Sequence, residues 1–327
     1  MTSSTPPPIP TTGPPATTPE NYAFVVNVWH LKGAASYTLA PGHELRRATS
    51  EEISVIKNLI EKRSPTSQMS YMHLWECQWP LPGGKIELLP QEEWRYFVIA
   101  FRGSNHTLAE LESAFDLAPL ELEVGFRYLH FGSGGQPSPG TIWQPGRFFH
   151  VLENAFWDNS FFIEVSSDDI ATIRAIHGQL QQNNDQLLNT KHLVAQLSQL
   201  KNLPHNSPLR FLGYFAALES LLTHAPKPSD PYDSITRQVK KKVSLLDHRW
   251  SRALDYSSFG GTAPDTIWTK MYDYRSLVAH GAVPEFTGKL AALGNHEATL
   301  KLIKETVKAV IRQALTEPRL LLDLREC

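Results

Sequence analysis

The sequence predicts an α+β protein, with a mixed α/β domain at residues 21–165 followed by an all-α helical bundle at residues 166–327. Short runs of β-branched and aromatic residues recur in the first part, and this pattern is typical of strands. From Ser167 onward apolar residues return every three or four positions, which predicts helices. A chain of 327 residues with 41% hydrophobic residues is also long enough for about two domains.

Residues 1–20 precede both domains and are rich in threonine, serine and proline, with Glu20 as their single charge. Such a segment buries too little apolar surface to offset the entropy lost on ordering. We therefore predict a disordered tail, and a proline-rich docking motif is the alternative.

The first domain alternates strand patterns with loops. Strands are predicted at residues 22–29, 86–89, 94–102, 120–130 and 161–165, and a helix at residues 51–62 has Ser50 as its N-cap. Proline and glycine predict loops at residues 80–84 and 132–146. The run Gly132-Ser133-Gly134-Gly135 lacks the Gly-Lys-Ser/Thr of a phosphate-binding loop, so we interpret it as a connection.

The second domain contains helical periods separated by polar or proline-rich breaks. Ser207 is a good N-cap, and Pro208 suits the first turn of the helix that follows. The predicted helices begin at Ser167 and cover residues 167–182, 192–200, 208–224, 233–246, 264–280 and 288–315.

Composition restricts the function classes. The two cysteines, Cys77 and Cys327, form neither a disulfide framework nor a zinc cluster, and no metalloprotease or serine-hydrolase motif occurs. We therefore expect no metal and no cofactor. No signal-peptide or membrane-spanning pattern is present, which predicts a cytoplasmic protein without a membrane partner. Residues 21–165 hold 11 basic and 16 acidic side chains, and residues 207–316 hold 15 and 10, so the second domain is the better polyanion binder.

One predicted helix carries an unusual pair of side chains near its end. At 100° per residue, Arg275 and His280 border a sector of about 140° that contains the small side chains of Ala279 and Ser276. Gly281 follows at the usual stopping position of a helix. The opposite side forms a core stripe of Ile267, Met271, Tyr274, Leu277 and Val278.

Each of these side chains has a chemical role and a structural alternative. Histidine exchanges protons near neutral pH, although a histidine at a helix end also caps carbonyls or faces water. Arginine matches phosphate oxygens, but Arg275 also has a natural ion-pair partner in Glu219, at the edge of an apolar stripe. That ion pair either orients Arg275 for catalysis or makes its guanidinium unavailable to substrate.

Other polar residues lie near this pair in the predicted helices. Ser276 is four residues from His280 and within hydrogen-bonding reach of it, and Tyr272 lies on the same side, positioning substrate or contacting a partner. Lys240, Lys241 and Lys242 form a basic run beside Arg237 that contacts an RNA backbone or is simply solvated. Three consecutive lysines cannot share one helix face.

The motif Arg275-x4-His280 resembles that of the HEPN superfamily, in which four to six residues separate arginine from histidine. The upstream segment Phe211–Leu222, with Ala217-Leu218-Glu219-Ser220-Leu221-Leu222, resembles the "ALE-x-L-L" helix of ApeA-like HEPN domains. The resemblance covers about residues 207–316. Ser276 departs from the family, in which Asn, Asp or His often follows the arginine.

The resemblance implies a metal-independent endoribonuclease that works as a homodimer, cuts RNA (tRNA or mRNA) through its 2′-hydroxyl and serves antiphage defence by abortive infection. Arg275, His280, Ser276 and Glu219 are then the catalytic residues, and Tyr272, Lys240, Lys241 and Lys242 bind substrate. The N-terminal domain is expected to sense an unidentified trigger. The alternative is a catalytically inactive HEPN-type module that binds RNA, nucleotide or a partner protein.

Overall fold

The computed structural model describes residues 20–63, 72–78, 87–102, 104–130, 141–143, 148, 161–182, 189–226 and 233–327. It confirms the α+β prediction, because a sheet region is followed by a bundle of helices. Residues 1–19, the predicted loop at residues 80–84 and most of the one at residues 132–146 lie outside the described residues. Within the described part of the chain, no helix combines the length and apolar composition that a bilayer crossing requires.

In the part of the chain that the structure describes, the main sheet has six strands in the order β3-β4-β7-β1-β8-β9, and each neighbouring pair is antiparallel. A second pair, β10 with β2, is parallel, and β5 with β6 is antiparallel. The strands are β1 Asn21–Val25, β2 Val28–Leu31, β3 Ser36–Ala40, β4 His43–Arg47, β5 Cys77–Gln78, β6 Glu87–Leu88, β7 Phe97–Phe101, β8 Val124–Leu129, β9 Thr141–Trp143 and β10 Ile163–Val165.

Both faces of the sheet are covered. All five residues of β7 are buried, as expected for an inner strand with helices on each side. Tyr22 and Phe24 of β1 point to one face, where α1 (Ser50–Arg63) supplies Ile56 and Ile60. Ala23 and Val25 point to the other face and join the core shared with the helices.

Among the described residues, seven α-helices follow β10 and form the helical bundle. They are α4 Ser167–Gln182, α5 Thr190–Leu200, α6 Pro208–Leu222, α7 Ile235–Asp247, α8 Pro264–Ala279, α9 His296–Thr316 and α10 Pro318–Glu326. Two further α-helices, α2 (His73–Glu76) and α3 (Asn105–Leu117), belong to the first part of the chain. One apolar cluster runs from Ala23 to Leu321 and crosses the predicted domain boundary at residues 165/166.

Several predicted elements were wrong in their bounds. The strand predicted at residues 22–29 is two strands, because the chain bends after Val25. The cap of α1 is Thr49 and not Ser50, since the Thr49 hydroxyl accepts from Glu52 N–H (3.3 Å) and the Glu52 carboxylate accepts from Thr49 N–H (2.7 Å). The sequence predictions also missed β3, β4, β9, α3 and α10.

The helix predicted over residues 288–315 is interrupted. Residues Gly288–Leu293 form a 3-10 helix, Gly294 has a φ of 66°, and a new helix then begins after Asn295. The Asn295 side-chain oxygen accepts from the N–H of Ala298 at 2.8 Å, which caps α9. The apolar period continues through this break, so periodicity alone did not locate it.

A buried ion cluster joins the sheet region to the bundle. Lys201, after α5, contacts carboxylates of Asp116 (2.5 Å), Glu123 (3.0 Å) and Glu121 (3.3 Å). Glu121 also binds Lys304 (2.9 Å) and Lys308 (2.7 Å) of α9. Burial alone would raise the pKa of Glu121, but the three lysines together hold it well below its ordinary value. Glu121 therefore remains charged inside the protein.

Replacing Glu121 by glutamine tests the importance of this cluster. Glu121→Gln leaves Lys304 and Lys308 facing a neutral amide, while Lys201 keeps its contacts with Asp116 and Glu123. Removing one partner of a buried ion pair lowers the free energy of unfolding by about 3–5 kcal/mol. Urea denaturation followed by circular dichroism measures the change. The control is Glu317→Gln, since the pair of Glu317 with Arg249 is exposed and its loss is expected to change stability by less than about 1 kcal/mol. Equal stability losses in both variants would contradict the prediction.

Candidate functional site

Helix α8 presents its predicted core stripe to the bundle. Ile267, Met271, Tyr274 and Val278 are buried, together with Trp268, while Ala279 and His280 are exposed. Gly281, with a φ of 74°, ends the helix: its N–H donates to the Val278 carbonyl (3.0 Å), and the N–H of Ala282 donates to the Leu277 carbonyl (3.0 Å). This C-terminal motif fixes where α8 stops and where His280 emerges.

The predicted contact between Glu219 and Arg275 is confirmed. Arg275 Nη2 donates to Glu219 Oε2 at 3.1 Å, which ties α8 to α6. The Glu219 side chain is 13% exposed and that of Arg275 is 30% exposed, so the guanidinium remains partly open to solvent. Glu219 Oε1 and Arg275 Nε are buried without a hydrogen-bond partner among the described residues. The pair therefore holds Arg275 without using all of its donors.

His280 lies at the exposed C-cap of the same helix. Its backbone N–H donates to the carbonyl of Ser276 at 3.1 Å, and none of the described residues pairs with its imidazole. The Ser276 hydroxyl likewise has no partner among those residues, so Ser276 and His280 do not form the side-chain hydrogen bond that their spacing allows. With a rise of 1.5 Å per residue, Arg275 and His280 are separated by about 7.5 Å along the helix axis.

Tyr272 supports the arginine. Its ring packs edge-on against Phe215 of α6, with 6.2 Å between ring centroids, and lies 5.9 Å from the Arg275 guanidinium carbon. Neighbouring Asp273 binds Lys270 (3.1 Å) and Lys289 (3.0 Å). Partial burial opposes ionisation of Asp273, but the two lysines outweigh it and lower the pKa. Asp273 is thus committed to ion pairs.

The three consecutive lysines have three different environments. Lys240 binds Asp265 (2.6 Å) and the Thr269 hydroxyl (3.0 Å) across the contact between α7 and α8. Lys241 is exposed. Lys242 is buried and donates to the Leu222 carbonyl at the end of α6 (2.9 Å), and burial lowers its pKa. Lys242 therefore acts as a structural cap inside the protein and does not reach the surface where substrate would bind.

A groove with a volume of about 680 Å³ lies between α7 and α8, and we call it the basic groove. It is defined by Arg237, Lys240, Lys241, Leu245 and His248 of the α7 region and by Asp265 and Thr269 of α8. Three permanent cations line it against one carboxylate. Hydroxyl groups of Ser234, Thr236 and Ser244 add hydrogen-bonding capacity, and Leu245 is 57% exposed. Cations, hydroxyls and an exposed apolar surface suit a sugar–phosphate chain.

The basic groove and the motif share one face of α8. With Arg275 at zero, Asp265, Thr269, Ser276 and His280 lie at about 80°, 120°, 100° and 140° around the helix. Thr269 and His280 are about 16 Å apart along the axis. A single strand lying along this face would therefore pass from the groove to His280 within a few nucleotides.

His296, which the sequence predictions did not single out, helps to hold α8 in place through Tyr274. The Tyr274 hydroxyl lies 2.6 Å from His296 Nδ1, and His296 Nε2 lies 3.3 Å from the carbonyl oxygen of His205. The Tyr274 ring stacks on Phe211 with 4.3 Å between centroids. Since only a protonated Nε2 can donate to a carbonyl, the neutral His296 accepts from Tyr274. Tyr274 was predicted as core, but its partner lies at the helix start that the sequence predictions missed.

Comparisons of the chain with protein-family models, with curated proteins and with solved structures found no match. Among the described residues, no group of three or more His, Cys, Asp or Glu side chains is arranged to hold a metal ion. The functional assignment therefore depends on the motif residues and on the geometry around them.

Stability is expected to fall as the pH drops below about 6.5, because burial lowers the pKa of both His177 and His296. At such a pH these histidines are protonated in the unfolded chain but stay neutral in the folded protein. Proton binding therefore favours the unfolded state as the pH falls. Thermal denaturation between about pH 7.5 and pH 5.5 measures the slope of melting temperature against pH. His296→Gln should reduce the slope and the exposed His192→Gln should not; equal slopes in all three proteins would refute the role of His296.

Proposed function

We propose that this protein is a HEPN-type, metal-independent endoribonuclease. The observation that carries the proposal is the geometry of α8. Arg275 is held by Glu219 with donors to spare, and the imidazole of His280 is exposed at the end of the same helix. The basic groove on that face supports RNA as the substrate.

The chemistry is transesterification within the RNA chain. A base removes the proton of the 2′-hydroxyl, the 2′-oxygen attacks the adjacent phosphorus, and the bond to the 5′-oxygen breaks as that oxygen receives a proton. The products are a 2′,3′-cyclic phosphate and a 5′-hydroxyl. Because the nucleophile belongs to the substrate and is already adjacent, the reaction does not require a metal to generate hydroxide.

Arg275 stabilises the charge that develops on the non-bridging phosphate oxygens. The Glu219 pair fixes the guanidinium before substrate arrives, and the Arg275 side chain stays partly exposed, so the guanidinium can still be reached. Preorganised donors need little rearrangement during the reaction, which increases their effect on the rate. Glu219 and Tyr272 position the arginine, and Ser276 lies between Arg275 and His280 as a hydrogen-bonding group.

His280 moves protons, and two protons must move in each reaction. A homodimer with the two α8 ends facing each other supplies one histidine as base and one as acid. The surface beside the motif supports such a contact, since Val283 is 85% exposed and follows the exposed Ala279 and Ala282. An antiphage, cytoplasmic role with a trigger acting on the N-terminal region rests on the resemblance to ApeA-like proteins alone.

The second candidate function is a catalytically inactive HEPN-type module that binds RNA, nucleotide or a partner protein. Ser276 favours it, because family members often have Asn, Asp or His after the arginine. The Ser276 hydroxyl makes no hydrogen bond to His280, so the serine does not orient the imidazole in this structure.

His280→Ala distinguishes the two functions. Loss of the proton-transfer group should lower the RNA cleavage rate by about 10²–10⁴-fold, and EDTA should leave the wild-type rate unchanged. The exposed position of His280 predicts an unchanged melting temperature. His192→Ala, an exposed histidine on α5, is the matched control. Sequencing of RNA ends measures cleavage. Equal cleavage by mutant and wild type would show that the motif is not the active site, and absence of cleavage by both would support the binding module.

Lys241→Ala tests the groove separately from catalysis. In a His280→Ala background, RNA binding measured by fluorescence anisotropy should weaken similarly for different RNA sequences, and the salt dependence (log Kd against log salt) should lose about one unit of slope. Lys32→Ala, an exposed lysine in the sheet region, is the control. If both variants bind RNA as the parent does, the basic groove is not on the path of the RNA.

A further inference from the structure

A second cavity lies on the other side of the sheet from the helical bundle. It has a volume of about 560 Å³ and is lined by side chains of α1, β1, β4 and β8, among them Tyr22, Arg46, Glu52, Tyr128 and His130. Tyr22 belongs to the apolar cluster under α1, whereas its neighbour Ala23 belongs to the cluster shared with the helices. The cavity is therefore separate from Arg275 and His280.

Two residues that line this cavity carry a polar atom without a hydrogen-bond partner among the described residues. The Tyr22 hydroxyl and His130 Nδ1 are both buried and form no hydrogen bond with the described residues, and Tyr22 is only 4% exposed. Burial, and then the nearby Glu52 carboxylate, raise the pKa of Tyr22, so its hydroxyl stays neutral and offers a donor and an acceptor. A buried polar atom without a partner destabilises the protein by about 1–3 kcal/mol, and most such atoms in proteins are satisfied.

The cavity wall is aromatic beside these atoms. The rings of Tyr22 and Tyr128 stack with 5.0 Å between centroids, and the His130 ring meets Tyr128 edge-on at 5.1 Å. Two unpartnered hydrogen-bonding atoms next to stacked rings match a flat heterocycle, which stacks through its face and hydrogen-bonds through its edge.

The net charge of the cavity disfavours heterocyclic ligands that carry a phosphate. Arg46 is held by Glu52 through two hydrogen bonds (2.8 and 2.9 Å), and Arg102 by Glu20 (3.0 Å). Three carboxylates, including Glu51, face two guanidinium groups, so one negative charge is in excess. The excess negative charge would repel a phosphate group, whereas an uncharged ligand would not be repelled.

We propose that this cavity binds a nucleoside or free nucleobase without a phosphate. The heterocycle edge hydrogen-bonds to the Tyr22 hydroxyl and His130 Nδ1, and its face lies against the aromatic wall. The volume is within the range of about 300–1,000 Å³ typical of small-molecule sites.

Calorimetric titration of the full chain with adenosine, guanosine, cytidine and uridine, and with their 5′-monophosphates, tests the proposal. At least one nucleoside should bind saturably, and more tightly than its monophosphate. Tyr22→Phe removes the hydroxyl and should weaken binding about three- to tenfold. The same variant should not lower the melting temperature, because the lost hydroxyl has no partner in the protein.

Tyr96→Phe is the matched control, since the Tyr96 hydroxyl is buried in the same cluster but donates to Glu76 at 2.8 Å. That variant should be less stable and bind normally. His130→Phe should weaken binding as Tyr22→Phe does. Absence of saturable binding by every nucleoside overturns the proposal. Binding that is stronger for monophosphates and unaffected by Tyr22→Phe also overturns it, and Lys241→Ala then tests the basic groove as the site. Neither result depends on RNA cleavage.

Discussion

The ion cluster around Glu121 determines how the sheet region and the helical bundle fit together. Its carboxylates come from the last turn of α3 (Asp116) and from the segment after it (Glu121 and Glu123), and its lysines come from the end of α5 and from α9. Apolar surfaces can slide over one another with little energetic penalty, but a buried carboxylate separated from its lysines is strongly unfavourable. The hydrophobic core therefore supplies most of the driving force, and the cluster selects one relative arrangement of the two parts.

Helix α9 links this arrangement to the candidate site. It packs against α6, and α6 packs against α8. The contacts that hold α8 against α6 and α9 include Glu219 with Arg275, Phe211 with Tyr274, and Tyr274 with His296. Beyond the last buried residue of α8, His280 has no such restraint from the described residues. The helix thus combines a fixed cation with an accessible imidazole, and this difference suits charge stabilisation by one group and proton exchange by the other.

Local signals predicted most of the bundle and part of the site. The 3.6-residue period located α4 to α8, and the carboxylate of Glu219 at the edge of an apolar stripe predicted its contact with Arg275. Strands β3 and β4 were missed because polar and charged side chains occupy most of their positions. The burial of Lys242 depends on carbonyls at the ends of α6 and α10, which only the folded chain brings together. The cavity beside Tyr22 likewise needs residues from four separate elements.

Unsatisfied polar atoms connect the two places where we infer function. Eight buried side-chain atoms of the described residues have no hydrogen-bond partner, and four of them belong to the Glu219–Arg275 pair and to the cavity of Tyr22 and His130. Each such atom destabilises the fold, so its retention needs a compensating role or a partner from outside the chain. We propose a phosphate oxygen as the ligand atom at Arg275 and the edge of a heterocycle as the missing partner at Tyr22. The two proposed ligands differ in charge, in keeping with three cations against one carboxylate in the basic groove and with the carboxylate excess in the cavity.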